Sequence, residues 1–78
     1  MSLVKSYRAE YAGVRLVVQL RENCVEFTVF EGEAIIWQAS ASDVDAGKNA
    51  ALFEAREWSG DQHGALPNWV PCGDEPNL

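Results

Sequence analysis

The sequence is poor in the residues on which most recognisable chemistry is built. In 78 residues it has one histidine, two cysteines and three prolines, and six basic residues against twelve acidic ones. Each shortage excludes something. Two cysteines, Cys24 and Cys72, do not make a disulfide framework. Cys24, His63 and Cys72 are the available soft ligands, and neither a CxxC nor an HxxxH spacing exists, so no metal site is expected. Ser59, Asp61 and His63 are neighbours in a stretch broken by glycine and proline, where nothing holds a general base rigidly, so no catalytic triad is expected. Gly13, Gly32, Gly47 and Gly60 stand alone, and neither a P-loop nor a GxGxxG is present. The reading is of a chain that is not an enzyme, with no cofactor and no small-molecule substrate indicated.

Long apolar runs are lacking too. None approaches the 18 or so residues that would cross a bilayer, and no signal-peptide core is visible. The expectation is a cytoplasmic protein with both thiols free. An exported form with a single Cys24–Cys72 bridge is the other reading. A net charge of −6 leaves no basic footprint of the kind that nucleic-acid binders carry. It also disfavours anionic membranes and favours either solubility or a basic partner.

What the sequence does have is apolar residues, 47% of the total, with three Trp, two Tyr and three Phe. That composition is globular, and the length allows one domain. Val14, Leu16, Val18 and Leu20 alternate with Arg15, Val17, Gln19 and Arg21, the period-two signature of a strand with one buried face. Val25, Phe27 and Val29 repeat the pattern after Glu22-Asn23. A two-residue turn there pairs Leu20 with Val25, Val18 with Phe27 and Leu16 with Val29, so that all six fall on one face; a slip of one residue would scatter them. A turn at Ala12-Gly13 similarly pairs Tyr11, Ala9 and Tyr7 with Val14, Leu16 and Val18. The alternative for this stretch is one long strand kinked at Gly13.

The strand over 33–41 is harder to register. A two-residue loop at Glu31-Gly32 would expose Trp37. A three-residue loop, Phe30-Glu31-Gly32, pairs Phe27 with Ile35 and Val25 with Trp37, and sets Gly32 in the left-handed position such loops need. That loop is the expectation, with Ile35 and Trp37 inward. A helix over 43–58 follows, with Ser42 as N-cap and Asp45 at N3. Val44, Ala51, Ala55 and Trp58 form its apolar stripe, with Gly47 and Leu52 at the edges. The small residues permit close approach to the sheet.

The fold class read from these patterns is α+β: an antiparallel three- or four-stranded β-meander over 7–41, then one α-helix packed on one face, then an irregular C-terminal tail. The domain spans 1–60, and 61–78 is a tail containing Pro67, Pro71 and Pro76, with Leu66 and Trp69 as its means of attachment. No repeat or family motif accompanies this order of elements.

A packed core leaves some residues unexplained. Val17, Phe30 and Ile36 fall on the outward sheet face, Phe53 points away from the helix stripe, and Trp69 lies in the tail. These five are the candidate contacts for a protein partner or a second copy, with the sheet edges as a further means of association. The competing reading places single-stranded nucleic acid on the outward face, against Arg15, Gln19 and Arg21 with Phe30 nearby. Glu26 and the net charge oppose it.

Overall fold

The computed structural model describes residues 5–21, 24–60 and 66–72. Its elements are β1 (Lys5–Tyr11), β2 (Val14–Leu20), β3 (Val25–Glu31), β4 (Ala34–Ala41), α1 (Val44–Ser59) and β5 (Val70–Cys72). They form one antiparallel sheet in the order β4-β3-β2-β1-β5, with α1 across one face.

The first two registers follow the hydrophobic pattern. Tyr11, Ala9 and Tyr7 pair with Val14, Leu16 and Val18. Leu16, Val18 and Leu20 pair with Val29, Phe27 and Val25. The β1–β2 loop is Ala12-Gly13, with φ of 51° and 86°, the two positive angles that a type I′ turn demands. The residues expected to turn between β2 and β3, Glu22 and Asn23, lie outside the described residues. The Arg21 N–H donates to the Cys24 carbonyl at 2.8 Å across that loop.

The third register corrects the expectation. Glu31 pairs with Ala34, so the loop is the two residues Gly32-Glu33 rather than Phe30-Glu31-Gly32. Gly32 alone of the pair has positive φ (64°), the pattern of a type II′ turn. Phe30 pairs with Ile35, and a bulge then intervenes before Val29 meets Trp37. The bulge has a clear physical reason. Without the extra residue, Gln38 would oppose Phe27 and Ser40 would oppose Val25, placing two polar side chains on the core face. With it, Ala39 and Ala41 take those positions and Gln38 moves outward beside Thr28. Trp37 therefore faces inward as expected. Ile35 turns outward and is exposed, and Ile36, the extra residue, packs against the core.

The core consists of Leu16, Val18, Val25, Phe27 and Val29 from the two central strands, Tyr11 and Val14 at one end, and Ala51 and Ala55 from the helix. Gly47 lies in the same line and is buried. Asp43, not Ser42, is the N-cap, and its carboxylate accepts the Ala46 N–H at 2.8 Å. Asp45 occupies the first turn, Arg56 the last, and Gly60 closes the helix in the left-handed conformation (φ 73°). No helix among the described residues is long and apolar enough to cross a membrane.

The C-terminal stretch is less irregular than its prolines suggest. Val70, Pro71 and Cys72 pair with Arg8, Tyr7 and Ser6 and cover the outer edge of β1. Trp69 packs against the core while Leu66 is exposed, so Trp69 rather than Leu66 provides the attachment. This placement also bears on the two cysteines. Cys72 lies beside Ser6, Ser6 beside Gln19, and Gln19 beside Glu26, two residues from Cys24. Three strand spacings separate the cysteine backbones, about 14 Å at ~4.8 Å each, against a limit of ~7 Å for a disulfide. Cys24 is a free, exposed thiol.

Candidate functional site

The five residues singled out as partner contacts do not converge. Val17 and Phe30 lie on the outward sheet face. Ile36 has moved to the helix side, through the bulge. Phe53 stands on the solvent side of α1, 58% exposed. Trp69 packs over the β1 end of the core. The structure instead assembles two surfaces, one on each side of the sheet.

The first lies on the helix side at the β4 edge. Burial of Gly47, Ala51 and Ala55 fixes how α1 is rotated. One flank then carries Lys48 and Arg56 toward β1, and the other carries Glu54 and Glu57 toward β4. The basic flank is occupied by aromatic rings. Lys48 Nζ sits 4.3 Å from the Tyr7 ring centroid and 5.7 Å from that of Trp69, and the Arg56 guanidinium is 5.8 Å from the Tyr11 ring. The acidic flank faces a groove. Val29, Ile36 and Trp37 form its sheet side, and Glu54, Glu57 and Trp58 its helix side. Trp37 and Trp58 are 47% and 54% exposed although both turn toward the same hollow. The groove opens along β4, which has no strand on its outer side among the described residues.

Sequence reasoning placed Trp58 on the buried stripe and so missed this groove. A signal was available: Trp58 lies 60° round the helix from Ala55, on the same flank as Glu54, and the sheet ends at β4 beneath it.

The second surface is the outward sheet face. Arg15 lies over the Phe30 ring, 4.7 Å from its centroid. Thr28, central on this face, is only 4% exposed, and its hydroxyl accepts from Gln38 Nε2 at 3.3 Å. Arg8 joins Arg15, Gln19 and Gln38 around a shallow hollow over Thr28. Arg21 is directed elsewhere: its Nε donates to Glu26 at 2.8 Å and its Nη2 to Gln19 at 3.3 Å. The structure thus substitutes Arg8 for Arg21 as the companion of Arg15. Arg8 was legible, since Tyr7, Ala9 and Tyr11 inward force Arg8 outward.

A third hollow, between the β2 end and the start of α1, is lined by Leu20, Arg21, Cys24 and Asp43 among others. Its carboxylates serve the helix start, Asp43 as the cap. Asp61 and His63 lie outside the described residues, and among those described no group of three metal-ligating side chains forms.

Comparison with protein-family models, with curated proteins and with solved structures gives no match.

Proposed function

We propose that this protein is a small binding module that acts by protein–protein contact, through the open β4 edge and the groove beside it. The supporting observation is the pair Trp37 and Trp58, each about half exposed on either side of one groove (47% and 54%). Tryptophan is a large apolar surface to leave in water, and it is enriched where a partner buries it. The adjoining edge offers unpaired backbone groups for strand addition. The reading includes no catalytic step and no cofactor, and it places the module in the cytoplasm with free thiols. The test is capture from the native host's lysate, with the wild-type chain and a Trp37→Ala/Trp58→Ala variant as baits. A protein retained by the first and lost from the second supports the reading. Identical capture by both removes it.

The outward face supports a second reading, single-stranded nucleic acid held by Arg8, Arg15 and Phe30. Among the described residues neither Arg8 nor Arg15 has an ion-pair partner, in a chain with twice as many acids as bases. Salt-dependent anisotropy of a labelled single-stranded oligonucleotide, abolished by Arg8→Ala/Arg15→Ala, would favour this reading. No change at low salt and high micromolar protein would eliminate it.

A further inference from the structure

We infer that the β4 groove receives an extended basic segment of a partner protein, added as a sixth strand with lysine or arginine on its helix-facing side; this rests on the protein-binding reading above. Three observations support the inference. The first concerns the edge. β5 closes the other side of the sheet, and its central residue, Pro71, has no N–H to offer a further strand. Among the described residues, the edge left for addition is β4. Beyond the bulge its residues 37–41 pair regularly with β3, presenting about 16 Å of straight edge at ~3.3 Å per residue.

The second concerns the shape and chemistry of the groove. A strand laid beside β4 runs ~4.8 Å from it, and alternate side chains rise on the helix side next to Trp37. There they meet an indole, then Trp58 and the carboxylates of Glu54 and Glu57 above. A lysine or arginine matches this order of surfaces: its methylene stem lies along the tryptophan and its cationic head reaches the acids. A purely apolar side chain would leave Glu54, already half-buried, facing it without a partner. Glu31 and Glu33, exposed at the β3–β4 hairpin, extend the acidic rim along the same edge.

The third is that the β4 edge of a second copy does not supply this occupant. β4 contains no lysine or arginine. Antiparallel pairing of two β4 edges would bring Glu54 and Glu57 of both copies to one side of the joined sheet, in chains of net charge −6 each.

The experiment is selection of random twelve-residue peptides displayed on phage against the full chain, followed by titration of the synthesised winners. The expected winners carry Lys or Arg at alternate positions. Their affinity falls at least tenfold in Trp37→Ala and in Glu54→Gln/Glu57→Gln, and several-fold between low and high salt. N-methylation of alternate backbone amides abolishes binding, as strand addition requires. Acidic or uncharged winners, winners indifferent to these variants, or no winners at all would overturn the inference. If Trp37→Ala does not fold, the Glu54→Gln/Glu57→Gln chain, altered only on the helix flank, decides. Groove-dependent winners without basic residues would remove the basic partner and leave the protein-binding reading standing. Lysate capture indifferent to Trp37 and Trp58 would remove both. A concentration-dependent dimer in light scattering, dissociated by Trp37→Ala, would assign the groove to a second copy and likewise overturn it.

Discussion

A Cβ placed on Gly47 would lie 3.1 Å from Val25 Cγ1 and 3.2 Å from Val18 Cγ1. The absence of a side chain at this one helical position lets α1 sit directly on the two central strands. Alanine there would gain about 1 kcal/mol in helix propensity. It would also press a methyl against two buried, β-branched side chains, each of which would have to shift by a few tenths of an ångström, and overpacking of this kind costs about 1–3 kcal/mol. The expected outcome for Gly47→Ala is a net loss of about 1 kcal/mol, a fall of about 4–8 °C in Tm for a domain of this size. In a Val25→Ala background, which removes the closer of the two contacts, the same substitution should cost less. Both results come from thermal denaturation of the four chains, and a more stable Gly47→Ala on the wild-type background would refute the close approach.

Ala12 offers the opposite case. It holds φ of 51° in the first hairpin loop, the one non-glycine residue with positive φ among those described. An alanine in this region carries a strain of about 1 kcal/mol, and Asn-Gly is the pair that type I′ loops favour. Ala12→Asn should raise stability by about 0.5–1 kcal/mol. Chemical denaturation would show it as a higher midpoint with an unchanged slope; a lower midpoint would mean that the loop does not hold this geometry.

The helix start can be tested by comparing two neighbours. Asp43 accepts the Ala46 N–H, whereas Ser42 makes no described hydrogen bond to the helix. Asp43→Ala should therefore cost about 1 kcal/mol, and Ser42→Ala much less. Equal losses would mean that both residues share the cap.

Most of the meander was legible because β2 and β3 alternate without interruption, and each turn could be checked against a face that had to stay apolar. Reading failed where that check was ambiguous. Ile35, Ile36 and Trp37 are consecutive large apolar residues, so pattern alone cannot say which of them a bulge displaces. The decisive constraint lies further along β4, in keeping Gln38 and Ser40 off the core. The N-cap was missed by one residue because Ser42 and Asp43 are both good caps. β5 was missed because Val70-Pro71-Cys72 is too short for any period to show, and its place depends on pairing with β1, more than 60 positions earlier. The candidate site was hardest to read. Trp58 belongs to the helix stripe by angle, and its exposure follows only from where the sheet ends.

The separation of Cys24 from Cys72 predicts that redox state does not affect folding. Thermal unfolding with and without a reducing agent should give the same Tm, and a thiol reagent should modify Cys24 in the native protein at a rate fitting its exposure. A Tm that falls on reduction would indicate a bridge, intramolecular or between copies, that this strand order does not permit within one chain.

Trp58 and Val29 face the same groove from opposite sides, and they separate a binding surface from a structural one. Val29 is fully buried at the centre of the core. Removing its two methyls loses about 0.8 kcal/mol each in transfer energy and leaves a cavity, so Val29→Ala should cost about 2–3 kcal/mol. Trp58 loses far more atoms on truncation. Yet more than half of its surface is already in water (54% exposed), and substitutions at such positions change stability by about 0.5 kcal/mol or less when nothing depends on them. Trp58→Ala should therefore cost less than Val29→Ala, the reverse of their sizes, while abolishing capture of the partner. If Trp58→Ala destabilised the chain more than Val29→Ala, the indole would be holding the helix to β4, and its exposure would no longer argue for a partner.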